Sequence, residues 1–378
     1  MTDDAGLGAQ SASVATDTAS RHGVQRLPYV DGLRGVAALI VALGHMVFIV
    51  PTMPVPELGA ATFVDLLVWP VRFGTEMVFL FLMVSGFSLY YSERSRQLRG
   101  RPPTSYQQFL KRRAWRIAPV YYVALAVGLL VFVTIPKLPP RPDNQSSQEL
   151  TVGGFVSHLF FVHNLSPDWL SQINAPLWSI AYEMQLYLLF PLIFWAMRRW
   201  NPFLVALGFV AAQKAISLLP LDFPVFDLTR WFVAGCLVAE LLARGIRIPP
   251  WVTLPAGLAA LFVAMLKLPA LASGLRHDAI WALAFTLILL AMSDQPESRR
   301  NPMNWSWLRW LGLRSYSLYA LRFPVTLAVI WLSRYLGLQG REAAAFVVVV
   351  AGSACLMVCV ASWKWVERPS LKRVAAVR

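Results

Sequence analysis

Three ionisable residues lie within one apolar stretch near the start of the chain. Asp31, Arg34 and His45 belong to the segment Asp31-Gly-Leu-Arg34-Gly-Val-Ala-Ala-Leu-Ile-Val-Ala-Leu-Gly-His45. Because a helix turns by about 100° per residue, positions 34 and 45 share one face, about 16 Å apart along the axis. Asp31 joins that face, since it precedes Arg34 by one turn. Ionisable groups at membrane depth are costly, and histidine moves protons near neutral pH, so this face is a candidate catalytic site.

A less specific interpretation of the same face is also open. Arg34 could extend to the membrane surface, and His45 could form a hydrogen bond to a neighbouring helix without any catalytic role.

A second polar stripe lies on a later apolar segment. Ser179, Glu183 and Tyr187 are spaced four residues apart, which places them on one helix face. A carboxylate in an apolar helix must be protonated, paired or open to a wet cavity, and Arg34 or His45 would be a suitable partner. Acid–base catalysis needs such a histidine and carboxylate together. The alternative is a structural ion pair that fixes the helix register.

A basic segment, Lys111-Arg112-Arg113-Ala-Trp115-Arg116, precedes another apolar stretch. Arg113 and Arg116 are one turn apart, so they could bind one polyphosphate together, with Arg112 beside them. Ordinary basic residues at the cytoplasmic membrane surface, or binding of anionic lipid, would give the same pattern.

Other polar residues interrupt apolar segments and are predicted to line a cavity. Arg322 lies two turns into an apolar stretch, so it should face a cavity or a partner. The predicted cavity-lining residues are Ser85, Ser179, Tyr187, Tyr319 and Arg322. The chain has no glycine-rich phosphate loop, zinc-ligand spacing or nucleophile elbow, and no metal is expected.

The composition is that of a polytopic, all-α membrane protein. Hydrophobic residues make up 57% of the 378 positions, charged residues 14%, and the mean hydropathy is +0.54; soluble proteins carry about 25% charged residues. The net charge of +14 would fit a nucleic-acid partner. However, the basic residues lie in short loops between apolar segments, which is the positive-inside pattern of membrane proteins. Cys236, Cys355 and Cys359 lie in apolar segments and are predicted to be packing residues.

Hydropathy and loop charge predict about ten transmembrane helices with both termini in the cytoplasm. Residues 1–26 are predicted to be a disordered tail, and residues 370–378 a basic tail. The most basic loop, residues 92–118, faces the cytoplasm in this topology. Residues 155–162 are too short to span, so they are predicted to be re-entrant or interfacial, with His158, His163 and Asn164 in an outer vestibule or at the interface. The predicted spans are 32–50, 73–91, 118–135, 176–197, 202–219, 229–243, 248–266, 279–292, 315–332 and 343–363.

Six motifs, in order along the chain, resemble the membrane-bound acyltransferase 3 family, over about residues 27–369. Its most specific feature is an arginine and a histidine separated by ten residues in the first span, matched by Arg34 and His45. The matching segments are Tyr29-Val-Asp-Gly-Leu-Arg34-Gly, Phe79-Leu-Phe-Leu-Met-Val-Ser85-Gly-Phe87, Arg112-Arg113-Ala-Trp-Arg116-Ile-Ala-Pro119, Leu177-Trp-Ser179-Ile-Ala-Tyr-Glu183, Ser315-Tyr-Ser-Leu-Tyr319 and Val366-Glu367-Arg-Pro369.

The chain departs from the family pattern at two places. The late motif often ends Leu-Tyr-Leu-x-His-x-Pro, and Arg322 stands at the histidine position, so any second histidine role is missing. Gln185 is one place away from the family's usual glutamine position, so only Glu183 transfers.

The resemblance implies an O-acyltransferase of the bacterial cytoplasmic membrane. It would move an acyl group, most often acetyl, from cytoplasmic acyl-CoA to a hydroxyl of a carbohydrate, glycolipid or glycosylated metabolite. His45 would be a general base or an acyl relay, oriented by Asp31 or Glu183. Arg112, Arg113 and Arg116 would hold the donor phosphates, and Arg34 would extend that positive path inward. The main alternative is a transporter or flippase for a polar or anionic solute, and a third is a structural scaffold.

Overall fold

The structure is a computed structural model, and it describes residues 27–48, 69–135, 150–216, 228–266, 274–294, 297–298 and 301–377. Within these ranges every regular element is a helix, so the predicted all-α class is confirmed there. The predicted N-terminal tail, the proline-rich stretch after the first helix and residues 136–149 lie outside the described residues.

Eleven helices carry the architecture of the described part. They are α1 (Pro28–Phe48), α2 (Gly74–Leu98), α3 (Tyr106–Thr134), α4 (Val152–Leu159), α5 (Leu177–Arg199), α6 (Pro202–Ile216), α7 (Thr229–Ala243), α8 (Pro250–Met265), α9 (Gly274–Asp294), α10 (Ser306–Tyr335) and α11 (Gly340–Ala376), the last with π-helical turns at Val347–Ala351 and Trp363–Glu367.

A helix occurs at each of the ten predicted spans. Seven of the described helices are long and apolar enough to cross a membrane, which makes the chain a multi-pass membrane protein: α1, α2, α3, α5, α9, α10 and α11. The other three, α6, α7 and α8, have 15, 15 and 16 residues. A bilayer core needs about 20 helical residues. The count of ten spans therefore stays a prediction.

The helices extend further than the apolar stretches. The predicted basic loop, residues 92–118, is mostly helical, because α2 continues to Leu98 and α3 begins at Tyr106. Gly100, with φ of +69°, allows the sharp turn between them. Ser105 then caps α3 by accepting a hydrogen bond from the Gln108 backbone N–H. Arginine and lysine are good helix formers, so charged turns continue a helix after its apolar part ends.

Helices α1 and α10 form the most extensive helix contact, and glycine makes it possible. A Cβ at Gly312 would lie 1.7 Å from the Asp31 carbonyl oxygen, and one at Gly35 would lie 2.3 Å from the Leu308 carbonyl oxygen. Further along, the rings of His45 and Phe323 lie 6.1 Å apart. Asp31 meets Gly312 and His45 meets Phe323, so the two helices run in the same direction, as the predicted topology requires.

Helices α2 and α7 pack equally closely. A Cβ at Gly235 would lie 1.9 Å from the Met83 carbonyl oxygen, so only glycine fits there. Near one end of this pair, the buried Glu240 carboxylate accepts hydrogen bonds from Arg94 at 3.2 Å and Arg244 at 2.8 Å. Tyr90 donates a third, at 3.0 Å. This contact fixes α2, which carries Ser85, against the rest of the bundle.

The short helix α4 is too short to span, as predicted, but its polar residues lie neither in a vestibule nor at an exposed interface. His158, His163 and Asn164 are fully buried. The two imidazoles stack, with ring centroids 3.8 Å apart. Burial and the neighbouring His158 lower the pKa of His163 to about 2, so it is uncharged at neutral pH. Asn164 exchanges hydrogen bonds with Gln185 on α5. These residues therefore attach α4 and the turn that follows it to the bundle.

The remaining local predictions concern cysteines and the chain end. Cys236, Cys355 and Cys359 are all free and buried, which confirms the prediction that they pack and form no disulfide framework. The predicted basic tail continues as the last turns of α11. There Ser370 donates a hydrogen bond to the Trp115 carbonyl on α3, and the Arg373 guanidinium lies 4.6 Å from the Trp115 ring centroid.

Candidate active site

A half-buried carboxylate is the centre of the first polar group. Glu183 on α5 accepts hydrogen bonds from the Ser85 hydroxyl on α2 at 2.7 Å and from the Tyr187 hydroxyl at 2.5 Å. The Ser85 and Tyr187 hydroxyls are themselves 3.2 Å apart. Two motifs that are about a hundred positions apart in the sequence thus meet at one carboxylate.

Three guanidinium groups surround this carboxylate. Arg34 and Arg113 both lie within electrostatic range of Glu183, and Arg116 lies within range of both arginines. We call Arg34, Arg113, Arg116 and Glu183 the arginine cluster. Among the described residues, none of the three arginines forms a direct ion pair. Guanidinium groups without a direct carboxylate contact are suited to binding an anionic ligand.

One hydrogen-bond donor of Arg113 has no partner among the described residues. Its guanidinium lies 5.6 Å from the ring centroids of both Phe109 and Tyr187, which hold it in place. Its Nε is buried and has no hydrogen-bond partner in the described part of the chain. A buried guanidinium N–H without a partner is costly, and a bound phosphate oxygen would satisfy it.

His45 lies further along α1, away from the arginine cluster. Its Nδ1 is 2.9 Å from the Val41 carbonyl oxygen, one turn earlier. A carbonyl oxygen can only accept, so Nδ1 carries the proton and Nε2 keeps its lone pair. That tautomer is the one required of a base or a nucleophile at Nε2. The side chain is half-buried, so Nε2 is not sealed in the core.

The groups beside His45 come from α10 and α5. Arg322 lies within electrostatic range of His45. Its guanidinium lies 3.9 Å from the Tyr319 ring centroid and donates a hydrogen bond to the Tyr319 carbonyl. The Tyr319 hydroxyl is 2.6 Å from the Ser179 hydroxyl. Because Ser179 is one turn from Glu183 on α5, this second group, the imidazole cluster (His45, Ser179, Tyr319 and Arg322), adjoins the arginine cluster.

The structure orients His45 differently from the prediction. Asp31 and Glu183 were the predicted orienting carboxylates. In the structure the His45 Nδ1–H donates its hydrogen bond to the Val41 backbone carbonyl. Asp31 is buried in the first turn of α1 and interacts electrostatically with Arg34. The reason is distance along the helix: Asp31 and Arg34 lie about three turns from His45. The backbone carbonyl four residues earlier is always within reach of the imidazole.

The five residues predicted to line a cavity are almost fully buried. Their exposed fractions range from 1% to 7%, and they contact one another or the two clusters. These residues are Ser85, Ser179, Tyr187, Tyr319 and Arg322.

Glu367 lies beside the arginine cluster, although sequence reasoning assigned it no role beyond its place in the closing motif. It is buried, accepts a hydrogen bond from the Ser317 hydroxyl at 2.5 Å, and lies within electrostatic range of Arg116. The signal that could have identified it is its place in the closing motif Val366-Glu367-Arg-Pro369.

A cleft opens beside Arg113, where α2 and α3 approach each other. It is lined by Arg112, Arg113 and Phe190, among others. Arg112 also donates hydrogen bonds to the Val377 carbonyl, at 2.8 and 3.2 Å, so the chain end holds it. Arg113 belongs both to the cleft and to the arginine cluster, so the cleft adjoins that cluster.

The variant Glu183→Gln tests the arginine cluster. Glutamine can still accept from Ser85 and Tyr187, but it lacks the negative charge that lies within electrostatic range of Arg34 and Arg113. Hydrogen bonds to charged groups contribute about 1.5–3 kcal/mol, so we expect a lower unfolding temperature in detergent and at least a tenfold loss of activity. Glu342→Gln, at an exposed position, is the matched control. Equal behaviour of the two variants in both measurements would contradict a role for the Glu183 charge.

Three curated proteins resemble this chain. ExoZ, an exopolysaccharide production protein from Rhizobium meliloti, is 29% identical over 318 residues, which is 81% of this chain and 92% of ExoZ. The acyltransferase MdmB from Streptomyces mycarofaciens is 28% identical over 215 residues, 53% of this chain and 48% of MdmB. The peptidoglycan O-acetyltransferase OatA from Listeria monocytogenes is 25% identical over 343 residues, 81% of this chain and 50% of OatA. The chain therefore spans about half the length of the last two.

No solved structure matches the chain. The sequence model of the acyltransferase 3 family, described as an acyltransferase domain, matches residues 27–365 and so includes both clusters and the cleft. The protein is a member of the acyltransferase 3 family.

Proposed function

We propose that this protein is an O-acyltransferase that moves an acyl group, acetyl in the first instance, from acyl-CoA to a hydroxyl of a sugar, glycolipid or glycosylated metabolite. The observation that carries the proposal is the His45 tautomer: the Val41 carbonyl holds the Nδ1 proton and leaves the Nε2 lone pair available. The relatives support a carbohydrate acceptor, because two of them are named for exopolysaccharide production and for peptidoglycan O-acetylation.

The donor enters from the basic side of the bundle. In the predicted topology this side faces the cytoplasm of a bacterial cell, where acyl-CoA is found, and the membrane is the cytoplasmic one. Arg113 and Arg116, with Arg112 at the cleft, bind the donor phosphates, since none of the three forms a direct ion pair within the described residues. Arg34 extends the positive charge toward the membrane interior, and the thioester end of the donor points along α1 toward His45.

As a general base, His45 accepts the proton of the acceptor hydroxyl at Nε2 while the hydroxyl oxygen attacks the thioester carbonyl carbon. The carbon–sulfur bond then breaks, and the imidazolium returns the proton to the thiolate. The products are an ester and free coenzyme A. Such proton transfer is worth about 10²–10⁴ in rate. The Val41 carbonyl stabilises the imidazolium through its hydrogen bond to Nδ1–H.

As an acyl relay, His45 attacks the thioester carbonyl carbon itself. The carbon–sulfur bond breaks, the thiolate leaves, and the acyl group stays on Nε2 as an acylimidazolium. The acceptor hydroxyl oxygen then attacks the acyl carbon, the carbon–Nε2 bond breaks, and the hydroxyl proton passes to the thiolate, so the products are again an ester and free coenzyme A. The two routes differ in one observable: only the relay leaves an acyl group on His45. Rapid quenching of the protein with labelled acetyl-CoA and no acceptor, followed by mass spectrometry of the α1 peptide, separates them.

Mass spectrometry of cell products tests the proposal as a whole. Envelope glycans, glycolipids and secreted metabolites are compared between cells with the native gene and cells with a deletion. We expect a species heavier by one acyl group that disappears in the deletion. The result that would overturn the proposal is unchanged acylation together with a change in which molecules are exported, because that outcome identifies a transporter.

A further inference from the structure

The cleft between α2 and α3 carries more positive charge than the arginine cluster accounts for. Besides Arg112 and Arg113 it is lined by Arg96, Arg99 and Arg101. Arg99 and Arg101 are exposed. They lie in the turn that joins the two helices, at the outer end of the cleft, whereas Arg113 lies at its inner end.

Glu93, the acid in the cleft, forms no direct ion pair with these arginines within the described residues, and its single negative charge is outnumbered by the five guanidinium groups of the lining. Both carboxylate oxygens of Glu93 are already bound, because Oε1 accepts from the Thr104 backbone N–H and Oε2 from the Thr104 hydroxyl, each at 2.9 Å. Glu93 thereby holds the turn that carries Arg99 and Arg101. Its hydrogen bonds shape the outer end of the cleft without pairing with an arginine.

The partners of the other cleft arginines are neutral. Arg96 donates to the Pro102 carbonyl at 2.6 Å, and Arg112 donates to the Val377 carbonyl. Within the described residues, none of the five cleft arginines forms an ion pair. Hydrogen bonds to carbonyl groups orient a guanidinium and leave its charge unbalanced. The cleft therefore presents an oriented set of cations at two ends, which suits a ligand with phosphates at two places.

Coenzyme A is such a ligand, since it carries a pyrophosphate and, separately, a 3′-phosphate on its ribose. We propose that Arg96, Arg99 and Arg101 bind the 3′-phosphate of the acyl-CoA donor, while Arg113 and Arg116 bind its pyrophosphate. The assignment rests on the proposed function. It follows from the order of the phosphate groups along the donor. The pyrophosphate is nearer to the thioester than the 3′-phosphate is, and Arg113 is nearer to Glu183 and α1 than the arginines at the outer end of the cleft are. An anionic lipid headgroup has the same chemistry, so the test must separate the two sources.

The test uses the full-length protein in nanodiscs of phosphatidylcholine with two donors, acetyl-CoA and 3′-dephospho-acetyl-CoA. For the native protein we expect the missing phosphate to raise KM about ten- to a hundredfold, with kcat unchanged, because charge-assisted hydrogen bonds are lost from ground state and transition state alike. For Arg99→Gln/Arg101→Gln, we expect the KM values of the two donors to become equal. Arg247→Gln/Arg341→Gln removes the same charge at exposed positions and should keep the native discrimination.

Direct binding of adenosine 3′,5′-bisphosphate and of adenosine 5′-monophosphate supplies a second readout that does not need catalysis. The native protein should prefer the bisphosphate, and Arg99→Gln/Arg101→Gln should lose that preference. If the preference is present but no acyl transfer occurs, the proposed function fails and the phosphate site stands. If the native protein does not distinguish the two nucleotides, or the variant still does, the 3′-phosphate site is overturned. Loss in the variant of a stimulation by phosphatidylglycerol, without any nucleotide preference, would also overturn it and identify a lipid site.

Discussion

The variant His45→Gln is expected to lower the rate of acyl transfer by about 10²–10⁴. The glutamine amide N–H can still reach the Val41 carbonyl, so the helix keeps its local hydrogen bond. However, glutamine has no basic nitrogen that could accept the hydroxyl proton or carry the acyl group. The measurement is transfer from labelled acetyl-CoA by purified protein in nanodiscs, with an acceptor fraction from the deletion strain.

His277→Gln is the control for this result. His277 also lies in an apolar helix, where its Nε2 accepts a hydrogen bond from Trp281 at 3.1 Å, and glutamine can accept the same bond. We expect both variants to elute and unfold like the native protein, and only His45→Gln to lose activity. Full activity of His45→Gln would show that His45 is neither base nor relay, even though the family assignment would stand.

Gly312→Ala is expected to have the second large effect, on both stability and activity. The added Cβ would lie 1.7 Å from the Asp31 carbonyl oxygen, so the backbones of α1 and α10 must separate. Overpacking costs about 1–3 kcal/mol and occasionally more. Separation also moves Arg322 and Tyr319 relative to His45, and a misplacement of about 1 Å can reduce a rate by about 10².

Two other glycines provide matched controls for Gly312→Ala. At Gly208 and Gly352 an added Cβ would meet no atom within 4 Å, and both lie in helices. Alanine is the better helix former, so Gly208→Ala and Gly352→Ala should leave the unfolding temperature unchanged or slightly higher. The measurement is the thermal unfolding temperature of the three variants in one detergent. A Gly312→Ala protein as stable as the two controls would show that α1 and α10 can separate without cost.

Much of this protein follows from the sequence by itself. Hydropathy placed a helix at each of the ten predicted spans, because backbone groups in a bilayer must be satisfied within the segment. Helical periodicity placed Ser179, Glu183 and Tyr187 on one face. The cost of ionisable groups in apolar helices singled out Arg34 and His45. All of these are local properties, since they depend on residues within a few turns of one another.

The contacts between helices were decided only by the tertiary structure. The helix spacing did not reveal that Glu183 meets Ser85, that Arg322 lies beside His45, or that Val41 and no carboxylate orients the imidazole. The cleft arginines needed the fold as well, because a count of basic residues does not show which of them converge. The physical reason is that these contacts depend on how closely the helices approach. Glycines such as Gly312 allow that close approach. Neither the hydropathy nor the charge pattern of the sequence shows which glycines lie at a helix contact.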